Sequence, residues 1–467
     1  MCQCSTQGIE GEEVNWGNCS TRIETAEDGC DCQSQTSESE WGDEPFEELA
    51  PKVVMLCEKL WPKNVGQFEV ERLSGGMNNR IVGITVGASS STEGTQTLQE
   101  TMTTDLFSFM KIPMKVLASL KRLFTRPITE PKSETPSRLQ YVLRIPRDPD
   151  RHNVKDQAAI FRFAQSLSTQ FEVPTEVHVD STCDNVLGKP FLMQHRISGT
   201  CLEELYGTLN HQQKMSVALR IGKVVYELSK HYSAFTGVID PVSISGENDE
   251  KGIRILKTEV DEDRIPSISA TRQTPLQVLQ SKFQEWKQLG ADADFPNEKE
   301  WLPFSKLVQI AKKQQDEHYT WSPENRFYLN HGDLYPRNII ARIVNDYKVE
   351  ITGIVDWDFL NFAPAIVAFE PPYWLWKSNQ RAENQAGNSE FWSNERYDAI
   401  TLEEKQIRAV FEARAGNEVT KFSNNPSTVV ANKIWEWARY GIAGNHEVQL
   451  ADEVVERWNG GEADVGG

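Results

Sequence analysis

No stretch of 18 apolar residues occurs anywhere in the 467-residue chain, and no apolar segment follows a basic start. A membrane-spanning helix and a secretory leader are therefore not expected, and the cytoplasm is the expected compartment. Positive charge is scarce. Lys and Arg number 49 against 68 Asp and Glu, for a formal net charge of -19. Residues 1–50 alone hold 13 acidic side chains, with Arg22 as their one basic residue. This balance offers no basic face to a duplex and argues against nucleic acid as a partner. A disulfide framework is not indicated either. Five of the eight cysteines (Cys2, Cys4, Cys19, Cys30 and Cys32) lie in the acidic tail, without the Cys-x2-Cys spacing of a zinc module and with no His nearby. Their two Cys-x-Cys pairs suit a soft metal through thiolates. The plainer reading is a disordered acidic tail over residues 1–50, rich in Ser, Thr, Glu and Gly and without a sustained period. What remains, with 39% hydrophobic residues overall and 13 Trp, is long enough for two lobes or domains.

The most informative stretch is Phe327 to Trp357, FYLNHGDLYPRNIIARIVNDYKVEITGIVDW. Two Ile- and Val-rich runs flank the polar Asn345 to Lys348, which predicts a β-hairpin. With its turn at Asp346-Tyr347, Asn338 falls almost opposite Val355, beside Asp356. Pro336 excludes a helix through the preceding loop and keeps Asp333 on irregular backbone close to both. Three oxygen-bearing side chains thus converge, as Mg-assisted phosphoryl transfer requires: two to hold metal on nucleotide phosphates and one carboxylate to orient the acceptor hydroxyl. Further upstream, Phe68 to Leu73, a Ser-Gly-Gly-Met-Asn-Asn turn and Arg80 to Val86 read as strand, glycine turn, strand. Backbone N–H groups of Gly75, Gly76, Met77, Asn78 and Asn79 suit a loop over phosphates, although a Gly-Gly hairpin is also an ordinary structural turn.

His331-Gly-Asp-Leu-Tyr-Pro-Arg-Asn338 follows the spacing of a kinase catalytic loop, with Gly for Arg, and Asp356-Trp357-Asp358 stands where a protein kinase has Asp-Phe-Gly. This version resembles the aminoglycoside phosphotransferase and choline kinase-like family. The resemblance implies an α+β fold of two lobes, protein-kinase-like, with a small antiparallel-sheet N-lobe over a larger, mostly helical C-lobe. It places the N-lobe at 51–197, interrupted by a low-complexity, basic insertion at 88–138, and the C-lobe at 198–467. It implies ATP and Mg2+ as cofactors, Asp333 as catalytic base, and Asn338 and Asp356 as metal ligands. By position, Arg144 stands where the family has a Lys that grips phosphate, and Gln157 where a helix acid should face that Lys, with Asp156 beside it. Backbone near Gln194, His195 and Arg196 is implied as the hinge that meets an adenine edge. His331 is expected to brace the loop, and Asp358 to stand behind the metal ligands.

Within the insertion, residues 111–126 read as a basic amphipathic helix, suited to a membrane surface, a partner or the acidic tail, with packing on its own lobe or disorder as the plainer reading. Asn210 is expected to cap a long helix, and Thr401 with Glu404 to form a capping box. The aromatic run after Asp356, through Tyr373, Trp374 and Trp376, is read as core in preference to a cationic-ligand pocket. No Ala-Pro-Glu motif is present, which counts against a protein kinase. The expected function is ATP-dependent phosphorylation of a hydroxyl on a small-molecule acceptor. The alternative, favoured by Arg144 and Gln157, is a nucleotide-binding pseudokinase or an interaction scaffold.

Overall fold

The computed structural model describes residues 42–64, 66–73, 75–76, 78–87, 139–167, 171–245, 253–258, 260, 266–291, 303–318, 321–377, 401–423, 426–442 and 444–464. The expectations for the Cys-rich tail, for the 88–138 insertion with its 111–126 helix, and for Met77 lie outside the described residues.

The smaller lobe begins with α1 (Phe46–Leu60), six residues ahead of the helix expected from Lys52, and carries Pro51 in its second turn. Strands β1 (Phe68–Arg72), β2 (Asn79–Val86) and β3 (Leu139–Pro146) follow, then α2 (Val154–Leu167), β4 (Glu176–Asp180) and β5 (Phe191–His195). They form one antiparallel sheet in the order β1-β2-β3-β5-β4. Successive side chains of a strand point to opposite faces, and the packing follows that period. Tyr141, Leu143 and Ile145 of β3 and Phe191 and Met193 of β5 meet Leu49, Val53 and Leu56 of α1 in a small core. Leu192 faces the other way, into the core that holds Ala158 and Phe161 of α2. Arg144 lies between Leu143 and Ile145 and is carried to that second face, with its guanidinium 5.3 Å from the Phe161 ring.

The larger lobe is mostly helical. After β6 (Thr200–Cys201) come α3 (His211–Ser229), β7 (Tyr232–Ser233), β8 (Gly237–Ile239), β9 (Ile255–Leu256), α4 (Pro275–Ala291) and α5 (Phe304–His318). Strand β10 (Phe327–Asn330) leads to the hairpin of β11 (Ile339–Asn345) and β12 (Lys348–Ile354), then β13 (Asn361–Pro364). Helices α6 (Leu402–Ala415), α7 (Pro426–Tyr440) and α8 (Gly444–Asp464) close the lobe. One sheet orders as β7-β10-β13-β8-β9 and a second as β12-β11-β6. The expected cap and the expected capping box both form: Asn210 caps α3, where Gln213 completes a box with it, and Thr401 pairs with Glu404 on α6.

Helix α3 holds the β11–β12 hairpin from below. Ser216 Oγ bonds both the O and N of Val349 at 3.1 and 3.2 Å, and the Asn210 amide donates to Asp346 O at the hairpin tip. The small lobe grips the same hairpin from the other side: Glu172 N donates to Thr352 O, and Ile354 N to Glu172 O. A Cβ on Gly353 would lie 2.9 Å from Glu172 O and 2.5 Å from Ile197 Cδ1, so this approach requires glycine. The two lobes are thereby registered on one hairpin. No described helix is long and apolar enough to cross a membrane.

Candidate active site

The hairpin brings its polar groups together as its spacing predicts. The turn is Asp346-Tyr347, with Asn345 paired to Lys348, and Val355 N donates to Asn338 O at 2.9 Å. Pro336 opens a single 3-10 turn, Pro336–Asn338, where its missing N–H costs nothing. Asn338 is buried there and donates through Nδ2 to Asp333 Oδ2 at 2.7 Å and to Asp333 O at 2.9 Å. Asp333 Oδ1 meets Arg337 at 2.5 Å, with the guanidinium lying over the Tyr335 ring. Sequence reasoning passed over Arg337, although its place four residues after Asp333 puts it within reach of that carboxylate.

His331 is fully buried. Its Nδ1 accepts from Asp333 N at 3.2 Å, which leaves Nε2 to donate to Val355 O at 3.1 Å. Burial pushes its pKa down to about 4, so the ring is a neutral brace between the two loops. Gly332 has φ +83°, and a Cβ there would lie 2.5 Å from Phe359 O. The glycine that replaces the kinase Arg is thus needed for close approach of the loop after Asp356.

Asp356 sits on left-handed backbone, φ 63° and ψ 55°, a conformation that an Asp adopts at some cost and that recurs at functional sites. Its carboxylate is partly exposed (36%). Its pKa is raised to about 6, first by burial and then by the neighbouring Asp358 and Asp333 carboxylates, against the opposing pull of Arg144 and Arg337. This crowding of carboxylates fits a hard, oxygen-seeking divalent cation. The Asn338 nitrogen is already spent on Asp333, so its side-chain oxygen is the group available to such an ion. Among the described residues no three His, Cys, Asp or Glu side chains form a metal-holding group by themselves. A Mg2+ that takes part of its coordination from nucleotide phosphates needs no more than one or two protein carboxylates.

The opposite wall departs from expectation in three places. Arg144 Nη2 meets Asp358 Oδ2 at 2.5 Å and Asp356 Oδ1 at 3.6 Å, and so pairs with neither Gln157 nor Asp156. Gln157 turns instead to Asn79, Nε2 to Oδ1 at 3.4 Å. The glycine turn is shorter than 75–79 suggests, because Asn79 already belongs to β2 and pairs with Pro146. Arg147 pins that turn through its Nε to Gly76 O at 3.2 Å and its N to Asn78 O at 3.0 Å. Sequence reasoning missed Arg147; its place just past the end of β3, opposite the turn, was the available signal. At the hinge, His195 N donates to Thr175 O and Arg196 N to Gln140 O, so these two N–H groups are spent inside the sheet. Gln194 is buried in β5, with its Oε1 unpartnered.

A cavity of about 550 Å³ opens beside the catalytic loop, walled by Asn330, His331, Gly332, Leu334 and Tyr335, by Val367, Ala368 and Glu370 to Trp374, by Val225 and Leu228 of α3 and by α7. The aromatic run divides accordingly. Trp376 is buried as expected of core, whereas Tyr373 and Trp374 line the cavity, and Trp374 Nε1 donates to Leu334 O at 3.3 Å.

A family model described as "Phosphotransferase enzyme family" matches residues 132–386. Among curated proteins, Clavilactone A biosynthesis cluster protein Y of Ampulloclitocybe clavipes is 34% identical over 77 residues, which are 16% of this chain and 18% of that protein. The chain thus spans under a fifth of the length of the curated relative that it matches. Among solved structures, a mutant aminoglycoside 2'-phosphotransferase-IIIa in its GDP complex is similar at 14% identity and TM-score 0.40, over 88% of this chain and 98% of that one. A thermostable mutant aminoglycoside phosphotransferase with AMP-PNP and hygromycin B is 11% identical, TM-score 0.42, over 86% and 97%. A macrolide 2'-phosphotransferase from Brachybacterium faecium is 12% identical, TM-score 0.38, over 84% and 92%.

Proposed function

The chain belongs to the phosphotransferase enzyme family, and from that premise we propose that it transfers the γ-phosphoryl group of ATP to a hydroxyl of a small molecule. The observation that carries the proposal is the hydrogen-bonded set of Asp333 and Asn338, tied through Val355 N to the backbone that presents Asp356. Asp333 orients the acceptor hydroxyl and takes its proton as that oxygen bonds to phosphorus. The bond from the γ-phosphorus to its bridging oxygen breaks, and ADP leaves. Asn338 and Asp356 would hold Mg2+, which, when bound with the nucleotide, neutralises charge on the phosphate oxygens. Arg144 and the turn at Gly75 and Gly76 face the phosphates from the small lobe.

The acceptor is assigned to the cavity beside the catalytic loop. Its lining sets two acids, Glu370 and Glu436, against two bases, Lys433 and Arg439, among Tyr335, Tyr373, Trp374 and several aliphatic side chains. Lys433 sits 2.9 Å from Glu436 and 3.1 Å from Glu447, so its charge is already paired with carboxylates. Such a wall suits an uncharged or weakly charged amphipathic hydroxyl compound better than a polycation, which would need a net negative lining.

The test is ADP release, with mass-spectrometric detection of phosphorylated product, over a panel of hydroxylated small molecules. Asp333→Asn serves as the control. The expected result is transfer that falls by roughly 10²-fold or more in the variant while Mg-ATP binding persists. Equal turnover by the variant on an authentic acceptor would overturn the role given to Asp333.

A further inference from the structure

We propose that Asp358 is the residue that positions Arg144 toward nucleotide phosphate, in place of the acid missing from helix α2. The assignment rests on the phosphotransferase reading above and concerns how this chain keeps that site in order. In a kinase-like site the phosphate-gripping cation needs a carboxylate to hold it at the right height and angle. Here α2 offers none. Gln157 carries no charge, is turned to Asn79, and leaves its Oε1 without a partner. Asp156, its neighbour, has burial and Asp240 as its electrostatic surroundings, and no ion pair joins it to Arg144 among the described residues.

The missing carboxylate comes instead from the far side of the cleft, 214 residues along the chain. Arg144 Nη2 meets Asp358 Oδ2 at 2.5 Å, with only 6% and 9% of the two side chains exposed. A contact this short between buried charges is a charge-assisted hydrogen bond, stronger and more directional than a solvated pair. The Phe161 ring beneath the guanidinium restricts its tilt. The pair is not saturated. Arg144 Nε and Asp358 Oδ1 are both buried and unpartnered, and a buried donor without a partner is costly to leave so. A guanidinium has five donors in a fixed fork. Held at one end by Asp358, it keeps others for a phosphate oxygen. A lysine ammonium is a point charge and lacks this division, which accounts for Arg at the position. Because Asp358 lies two residues after Asp356, the pair also ties the metal loop to β3. Asp358 acts here through Arg144, as a positioning residue.

The experiment is a double-mutant cycle on the full chain with Asp358→Asn, Arg144→Met and the double variant. Two readouts are used: the dissociation constant for ATP at saturating Mg2+, and the Mg2+ concentration that half-saturates ATP-induced thermal stabilisation. Wild type must first bind Mg-ATP; its failure to do so would overturn the functional reading, and this assignment with it. The expected result is that each single variant weakens ATP binding about 10-fold, that the double variant is no weaker than the worse single, and that the Mg2+ midpoint moves little. Asp358→Glu should restore part of the binding. Multiplicative losses, or an Asp358→Asn defect relieved simply by raising Mg2+, would overturn the assignment and make Asp358 a metal ligand. If Asp358→Asn fails to fold because it leaves a buried cation unpaired, the double variant removes both charges and folds. In that case, binding by the double variant equal to that of Arg144→Met supports the pair, and weaker binding overturns it.

Discussion

The two walls of the cleft are assembled on different terms. On one side, His331, Asp333, Arg337, Asn338 and Val355 bond to one another around the two ends of a single hairpin, with partners at most 24 positions apart. On the nucleotide side, Arg144 finds Asp358 across 214 residues, and Gln157 finds Asn79 across 78. Local partners are set by turn geometry and register, which are properties of short segments. Remote partners depend on how two lobes meet. The difference teaches that contacts within a short segment can be read from its spacing, whereas contacts made across the cleft cannot. Arg144 and Gln157 read as defects when only neighbours in sequence are compared. With Asp358 in view, Arg144 has the buried carboxylate partner that Gln157 does not provide.

The largest expected effect breaks the local wall. Asp333→Asn should cut phosphoryl transfer roughly 10²-fold or more with little change in Mg-ATP affinity, because a base acts on the transferring step. Loss of nucleotide binding to the same degree would erase the distinction between the two walls.

Next comes the seam between the catalytic loop and the loop after Asp356. Gly332→Ala places a Cβ 2.5 Å from Phe359 O at a residue with φ +83°. Left-handed strain and overpacking together should cost about 3 kcal/mol, measured by urea unfolding, and should depress transfer as well because the two loops part. A stable, fully active alanine variant would show that the approach is not needed.

A pH effect of somewhat smaller size follows from His331. Its folded-state pKa of about 4 lies below the ordinary His value. Between the two values the unfolded chain binds the proton and the folded one does not, so stability falls as pH drops from about 6.5 toward 4. By pH 5 the loss should reach about 2 kcal/mol relative to pH 7. His331→Gln should flatten this part of the profile in paired urea titrations, at the expense of lower stability near neutrality. Parallel profiles for the two proteins would contradict a buried neutral imidazole.

The smallest expected effect lies away from both walls. Thr401→Ala removes the cap that accepts from Glu404 N at 3.2 Å. It should lower stability by about 1 kcal/mol and leave ATP binding unchanged. A binding defect there would mean that α6 is coupled to the cleft.

Much of the catalytic wall was legible before any tertiary structure was known. The hairpin, its Asp346-Tyr347 turn, the meeting of Asn338 with Val355, the Asn210 cap and the Thr401 capping box all follow from local rules. The two-lobed α+β fold was legible through the resemblance carried by residues 331 to 358. The glycine turn was legible only in outline, because Asn79 was drawn into β2 by its pairing with Pro146. At the hinge, too, backbone donors are taken up by strand pairing. Strand pairing satisfies backbone donors wherever a partner is in reach, and Thr175 and Gln140 were within reach of His195 and Arg196.

By itself the sequence determined the meeting of Asp333, Asn338 and Val355, since residues a few positions apart along one loop and its hairpin have little freedom to be anywhere but together. It also determined which face of β3 carries Arg144, through the two-residue period of a strand. Only the tertiary structure decided what Arg144 is paired with, how Gly332 and Phe359 interlock, and that Tyr373 and Trp374 border a cavity while Trp376 does not. Each of these depends on where separate segments come to rest against one another. That is set by packing over the whole core, and no short window of sequence contains it.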